Sequence, residues 1–186
     1  MNIQRLGPTF APAYRQLMLE AYAAHPEAFT SSPQEREGLP LDWWAHRLQE
    51  SDQARELVWG ATQGTDLLGV VGLSLETRAK ARHKATLFGL YVPHRHRRLG
   101  IARGLLDEVL AYARGLSRLR VIQLTVTQGN HAAQALYEQA GFQVFGIEPL
   151  AVAVGDNFVT KLHLWCELAG RDHGQGRAVM SRPDGD

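Results

Sequence analysis

Residues 90–106 read Leu90-Tyr91-Val92-Pro93-His94-Arg95-His96-Arg97-Arg98-Leu99-Gly100-Ile101-Ala102-Arg103-Gly104-Leu105-Leu106. An apolar strand runs into a basic, glycine-containing turn and then directly into a helix. The first N–H groups of a helix have no partner within it, and the helix dipole is positive at that end. Such a junction therefore attracts an anion. Gly100 and Ala102 carry nothing larger than a methyl group, so a pyrophosphate can come close to the backbone donors. Arg98 and Arg103 add charge in a planar fork that suits phosphate oxygens. Two plainer readings compete, because the run His94 to Arg98 also fits a solvated loop or a nucleic-acid patch. The junction lacks the Gly-Lys-Ser/Thr ending of a P-loop and the Gly-x-Gly-x-x-Gly of a dinucleotide-binding turn. Thirty residues on, Asn130 stands where a helix N-cap belongs, and Ala133, Leu136, Tyr137 and Ala140 form an apolar stripe that stops at Gly141. The single cysteine, Cys166, sits in the strand-like run LHLWCEL and reads as a small buried hydrophobe. It excludes an internal disulfide and a cysteine-rich metal site, and no metal is expected.

These groups must be held by an ordered alternation of helices and strands. Phe10, Tyr14, Leu17, Met18, Ala21 and Tyr22 recur at helical spacing over residues 10–24, with Thr9 as the expected N-cap and Pro12 tolerable in the first turn. The polar stretch HPEAFTSSPQEREGLP is expected to be a loop, and Leu41, Trp44, Ala45 and Leu48 mark a second short helix. Strands are expected at 57–62, 67–75 and 85–92, the first two joined by a turn at Gln63 to Asp66. A helix over 100–114 carries Ile101, Leu105, Leu106, Val109, Leu110 and Ala113 on one face. Residues 121–127 alternate as a strand, and 142–154 and 158–167 pair as a hairpin about Gly155-Asp156-Asn157. With a short strand possible at Ile3 to Leu6, the order αα-βββ-α-β-α-ββ describes an α/β sandwich with a mixed sheet.

At 186 residues, 45% hydrophobic and 21% charged, the chain has the length and composition of one globular domain. A net charge of +1 and the lack of an aromatic stacking platform argue against a nucleic-acid binder. No apolar run reaches bilayer length and MNIQRLGPTF lacks a signal core, so the expectation is a cytoplasmic protein without a membrane partner. After Leu168 the composition turns to glycine and charge, and residues 169–186 read as a disordered tail.

Taken together, two segments resemble the signatures of the GNAT superfamily of N-acetyltransferases. Arg97-x-x-Gly100-x-Ala102 is similar to its Gln/Arg-x-x-Gly-x-Gly/Ala loop. Asn130-x-x-Ala133-x-x-Leu136-Tyr137, followed by Gly141-Phe142, is similar to its second motif, in the expected order and spacing. The resemblance spans residues 1–168. It implies a three-layer α/β/α fold whose mixed, largely antiparallel sheet splays between two parallel strands. It further implies acetyl-CoA as donor and transfer of acetyl to a primary amine of a small molecule or protein by direct attack. The backbone of Leu90, Tyr91 and Val92 would then hold the pantetheine arm. Arg97, Arg98, Leu99, Gly100, Ile101, Ala102 and Arg103 would form the pyrophosphate loop, Asn130 would touch the cofactor arm, and Tyr137 would protonate or hydrogen-bond the departing thiolate.

Family members often carry a Glu base on one of the splayed strands. The matching positions here are Thr86 and Thr125, so the base is left open among Glu76, His83, Glu148, His163 and water. The acceptor is expected to approach from residues 22–48 and the final hairpin, where Thr160-Lys161 replaces the acidic residues of similar sequences. Glu27, Glu35 and Glu37 either attract a cationic amine or form a solvated acidic loop. A homodimer would be usual for the family. The missing carboxylates leave a second expectation, a regulatory CoA-binding module with weak or no catalysis.

Overall fold

In the computed structural model the described residues are 1–51 and 54–168, and the expected tail at 169–186 lies outside them. Among the described residues the sheet has seven strands: β1 (Asn2–Arg5), β2 (Glu56–Gln63), β3 (Asp66–Leu75), β4 (Lys84–Tyr91), β5 (Val121–Thr127), β6 (Gln143–Val154) and β7 (Asn157–Glu167). Their spatial order is β1-β2-β3-β4-β5-β7-β6. Every neighbouring pair is antiparallel except β4 and β5.

Helices cover both faces. On one, α4 (Ile101–Gly115) and α5 (His131–Gln139) pack with Leu73, Leu87, Ile122, Leu124 and Leu164 into the larger core. The predicted α4 face is buried at all six positions. On the other, α1 (Ala11–Ala24), α2 (Pro33–Glu37) and α3 (Leu41–His46) bury Tyr14, Met18 and Trp44 against Leu6, Val58, Val70 and Tyr91. The three-layer mixed-sheet architecture expected from the sequence is the one observed.

Two local expectations are corrected. Thr9 does not cap α1; it lies inside a 3-10 turn, Pro8–Phe10, that runs straight into the helix with no side-chain cap. The stretch expected to be a loop contains α2. Ser32 and Glu35 form a capping box there, the Ser32 hydroxyl accepting from the Glu35 N–H and the Glu35 carboxylate accepting from the Ser32 N–H.

The feature that positions the site is the parting of the parallel strands. β4 and β5 pair only over Lys84–Thr86 and Val121–Gln123. Beyond Thr86, β4 carries an extra residue against β3: Gly72 faces Phe88 but Val70 faces Tyr91. Gly89 sits in that bulge with φ +61°, a left-handed conformation available to glycine at little cost. A bulge bends its strand and ends regular pairing, while β5 runs on paired to β7 through Thr127. The result is a fork open towards the start of α4.

Candidate active site

A cavity of about 730 Å³ occupies the open end of the fork. One wall is Leu90, Tyr91 and Val92 of β4; the other is Thr127, Gln128, Gly129 and Asn130, where β5 passes into α5. The floor is the junction at Arg97, Arg98, Gly100, Ile101, Ala102 and Arg103. Of the residues singled out in the sequence, these are brought together. Leu99 is not; it stands 65% exposed outside the lining.

The junction turns sharply because Arg98 (φ +63°) and Gly100 (φ +75°) both adopt left-handed backbone conformations. Gly100 is the N-cap of α4, and its carbonyl accepts the first helical bond, from the Gly104 N–H at 2.9 Å. Among the described residues, the six successive N–H groups of residues 98–103 have no acceptor. That is a ready anion cradle, with the α4 dipole behind it. A Cβ at Gly100 would meet nothing within 4 Å, so the space over the cradle is open.

Arg97 is a brace. Its Nε donates to the Val92 carbonyl at 3.1 Å and its Nη2 to His25 Nε2 at 2.9 Å. A guanidinium only donates, so His25 Nε2 is the acceptor and the ring proton sits on Nδ1, which donates to Glu27 Oε1 at 3.2 Å. Arg103 pairs with Asp107 one turn along α4. Asn130 caps α5 as expected, Oδ1 accepting from the Ala133 N–H at 3.1 Å. Its Nδ2 is left as a donor beside the cavity.

The segment following α1 forms a strap over the cavity, contributing His25, Glu27, Ala28 and Phe29 to its lining. It is clamped by a lysine that the sequence marks only as an absent carboxylate. Lys161 on β7 is 5% exposed and donates from Nζ to the carbonyls of Glu27 (3.0 Å) and Ala28 (2.9 Å) and to Thr127 Oγ1 (2.9 Å). The Thr127 hydroxyl donates in turn to the Glu27 carbonyl at 2.8 Å. Burial pulls the Lys161 ammonium below its ordinary pKa, although Glu27 and Glu148 oppose this. Three oxygen acceptors satisfy the buried charge.

Tyr137 lies in the core beside the cavity, 7% exposed, with its ring edge-on to Phe142 at 5.8 Å. It is absent from the cavity lining, to which α5 contributes Ala132, Ala133 and Leu136. Its hydroxyl has no hydrogen-bond partner among the described residues. Burial alone pushes the phenol well above its ordinary pKa, so it keeps its proton at any working pH.

At the closed end of the fork a second groove, about 710 Å³, reaches Thr86 and Gln123 and is walled by Glu76, Arg78 and Lys84. Of the four candidate bases, Glu76 is tied to Arg78, which holds its carboxyl at about 2. His83 precedes β4, and its carbonyl accepts from the N–H groups of Arg120 and Val121. Glu148 and His163 come together, Oε2 to Nε2 at 2.7 Å. Cys166 is buried, as its strand context predicted, and desolvation raises its thiol pKa. Among the described residues no cluster of His, Cys, Asp and Glu could hold a metal ion, and no helix is long and apolar enough to cross a membrane.

Comparison with known proteins agrees with this geometry. The chain is 29% identical over 103 residues to the L-amino acid N-acetyltransferase AaaT of Escherichia coli, covering 55% of this chain and 62% of that one. It is 36% identical over 89 residues to human N-acetyltransferase 8, covering 47% and 39%. The chain thus matches less than two thirds of the length of either relative. Among solved structures, a GNAT-family acetyltransferase from Streptococcus pneumoniae superposes with a TM-score of 0.76 at 22% identity, over 90% of this chain and 99% of that one. The putative acetyltransferase yncA of Salmonella typhimurium, solved with its cofactor acetyl-CoA, gives 0.75 at 18% identity, over 96% and 98%. At these identities the superpositions speak for the fold. The model of the acetyltransferase (GNAT) family matches residues 14–142, which include the forked strands, the unpaired amides of the α4 junction and the Asn130 cap, and the chain belongs to that family.

Proposed function

We propose that the protein is an N-acetyltransferase that moves the acetyl group of acetyl-CoA to a primary amine of a small molecule or protein. The observation that carries this reading is the row of six N–H groups without acceptors among the described residues at 98–103, in a junction whose residues, Leu99 excepted, line a cavity that continues between β4 and β5. Such a cradle fits a pyrophosphate, and the cavity beside it fits a long, thin, amide-bearing arm. When bound, acetyl-CoA supplies an activated acyl carbon and a sulfur leaving group.

The protein's part is then largely positioning. The amides of residues 98–103 anchor the phosphates, with Arg98 and Arg103 adding charge. The backbone of Leu90, Tyr91 and Val92, freed from β5 by the bulge at Gly89, pairs with the arm like an added strand. Asn130 Nδ2 offers a further donor. The strap at 25–29, clamped by Lys161 and Arg97, keeps water from one side of the cavity. Tyr137 donates a hydrogen bond to the departing sulfur. Its pKa is raised above that of an ordinary thiol, so outright proton loss is uphill and the bond itself is the contribution. The activity of the bacterial relative makes free L-amino acids the first acceptors to try. A charged, water-soluble donor suits a protein of the cytoplasm.

Two measurements test the reading. Calorimetry with CoA is expected to show saturable binding. CoA-thiol release is expected to depend on both acetyl-CoA and one of a panel of L-amino acids or simple primary amines. Absence of CoA binding by the folded protein overturns it.

A further inference from the structure

Outside the lining of both cavities, β6 and β7 hold a histidine–carboxylate pair, His163 with Glu148, to which the donor site gives no role. In an antiparallel ladder, directly opposed residues point to the same face of the sheet. Thr125 of β5 is opposed by His163 of β7, and Thr127 by Lys161. His163 therefore stands on the same face as Lys161 and the strap, which is the face covered further on by α1 and α3. The last β4–β5 pair is Thr86 with Gln123. With a side-chain period of two, the first row beyond it on that face is Phe88 and Thr125. His163 thus borders the narrow end of the fork. A donor anchored by its phosphates at the open end extends its acyl group towards that end.

The pairing of His163 also fixes its chemistry. The Glu148 carboxylate can only accept, so Nε2 carries a proton, 2.7 Å from Oε2, and in the neutral ring the lone pair is on Nδ1. Nδ1 has no partner among the described residues, and the side chain is 35% exposed. The Phe145 ring, 5.9 Å away and edge-on, supports the imidazole. The charged group it meets is Glu148 from β6; Lys161 stands two residues along its own strand, and β5 presents Thr125 directly opposite.

Resting on the acetyltransfer reading, we infer that His163 is the general base that deprotonates the acceptor amine, with Glu148 as its positioning residue. An N–H bond of the acceptor ammonium breaks and an Nδ1–H bond forms, while Nε2 keeps its proton on Glu148. Over a turnover, one thioester and one ammonium give one amide, one thiol and one proton, and His163 passes that proton to solvent. This supplies the function that Thr86 and Thr125 cannot.

The test compares two nucleophiles. Alkyl ammonium groups must lose a proton before attack, whereas hydroxylamine is already largely unprotonated at neutral pH. With the best L-amino acid of the panel, His163→Gln is expected to lower kcat/KM about a hundredfold, and Glu148→Gln about tenfold, with the acid limb of the pH profile altered. With hydroxylamine the losses are expected to be much smaller. ¹⁵N NMR of the ligand-free protein is expected to place the neutral ring proton of His163 on Nε2, and calorimetry to show CoA affinity unchanged in both variants. Equal losses with both nucleophiles, undiminished amino-acid turnover, or a proton on Nδ1 would overturn the inference alone. If the parent turns over neither hydroxylamine nor any amino acid, the activity reading falls, and this inference with it.

Discussion

Gly100→Ala separates the backbone role of the α4 junction from its role towards a ligand. Gly100 has φ +75°, and an L-residue in that conformation costs about 1–2 kcal/mol. No clash adds to this, because a Cβ there meets nothing within 4 Å. At about 2–4 °C per kcal/mol for a domain of this size, Tm is expected to fall by roughly 2–8 °C. The same open space is where a phosphate would approach the amides of residues 98–103. A methyl group holding it off loses at least one hydrogen bond to a charged group, about 1.5–3 kcal/mol, so the Kd for CoA is expected to weaken tenfold or more, roughly. Gly155→Ala is the control: φ is +60°, the space is equally open, and the residue lies in the β6–β7 turn outside the cavity lining. It is expected to lose similar stability while binding CoA like the parent. Thermal unfolding and calorimetry on the three proteins suffice. If Gly100→Ala loses the expected stability yet binds CoA with parental affinity, the cradle does not hold the phosphates.

Tyr137→Phe keeps the ring against Phe142 and removes a hydroxyl with no partner among the described residues, so Tm is expected to stay level while kcat falls about tenfold or more, with little change in CoA affinity. Unchanged thiol release with an accepted amine would make Tyr137 a packing residue. Lys161→Met leaves the Ala28 carbonyl without its donor, while the Glu27 carbonyl keeps the Thr127 hydroxyl. A loss of about 1–3 kcal/mol and weaker CoA binding are expected; a denaturation curve matching the parent's would show that the strap does not depend on the clamp. Arg78 holds the Glu76 carboxyl at about 2, below its ordinary 4.5. A carboxylate with a depressed folded pKa contributes stability above its ordinary pKa and loses it as pH falls towards the folded value. Arg78→Ala removes the guanidinium but keeps the N–H groups of residues 77 and 78 on Oε1, so it is expected to flatten part of the stability–pH curve between about 4.5 and 2, and parallel curves for parent and variant would count against the pairing.

Most of the geometry of the β4–α4 junction and the start of α5 was legible in the chain because its features are local. Residues 90–106 specify strand, turn and helix start by their own pattern, and the unpaired amides of 101–103 follow from any helix start. Asn130 caps α5 through a bond three residues away. Two further local signals stand in the chain. One is the Ser32–Glu35 capping box that makes α2; the other is Gly89 inside a strand pattern, the mark of the bulge that opens the fork.

The acceptor side was not legible, for a physical reason. Hydrophobic period and capping report how a segment relates to its own backbone and which face it buries. They carry no information on which distant residue will stand opposite. Arg97 meets His25 across 72 residues, Thr127 meets Glu27 across 100, and Lys161 reaches Glu27 across 134. Glu148 and His163 are only 15 apart, yet their meeting depends on the β6–β7 register, which shifts twice along the hairpin. A one-residue slip would send every side chain of a strand to the other face. The sequence by itself determined most of the elements, their order and the strand–turn–helix junction at 90–106. Strand register and the docking of the strap, set only when the whole sheet packs against both helical layers, decided which polar groups share the acceptor face.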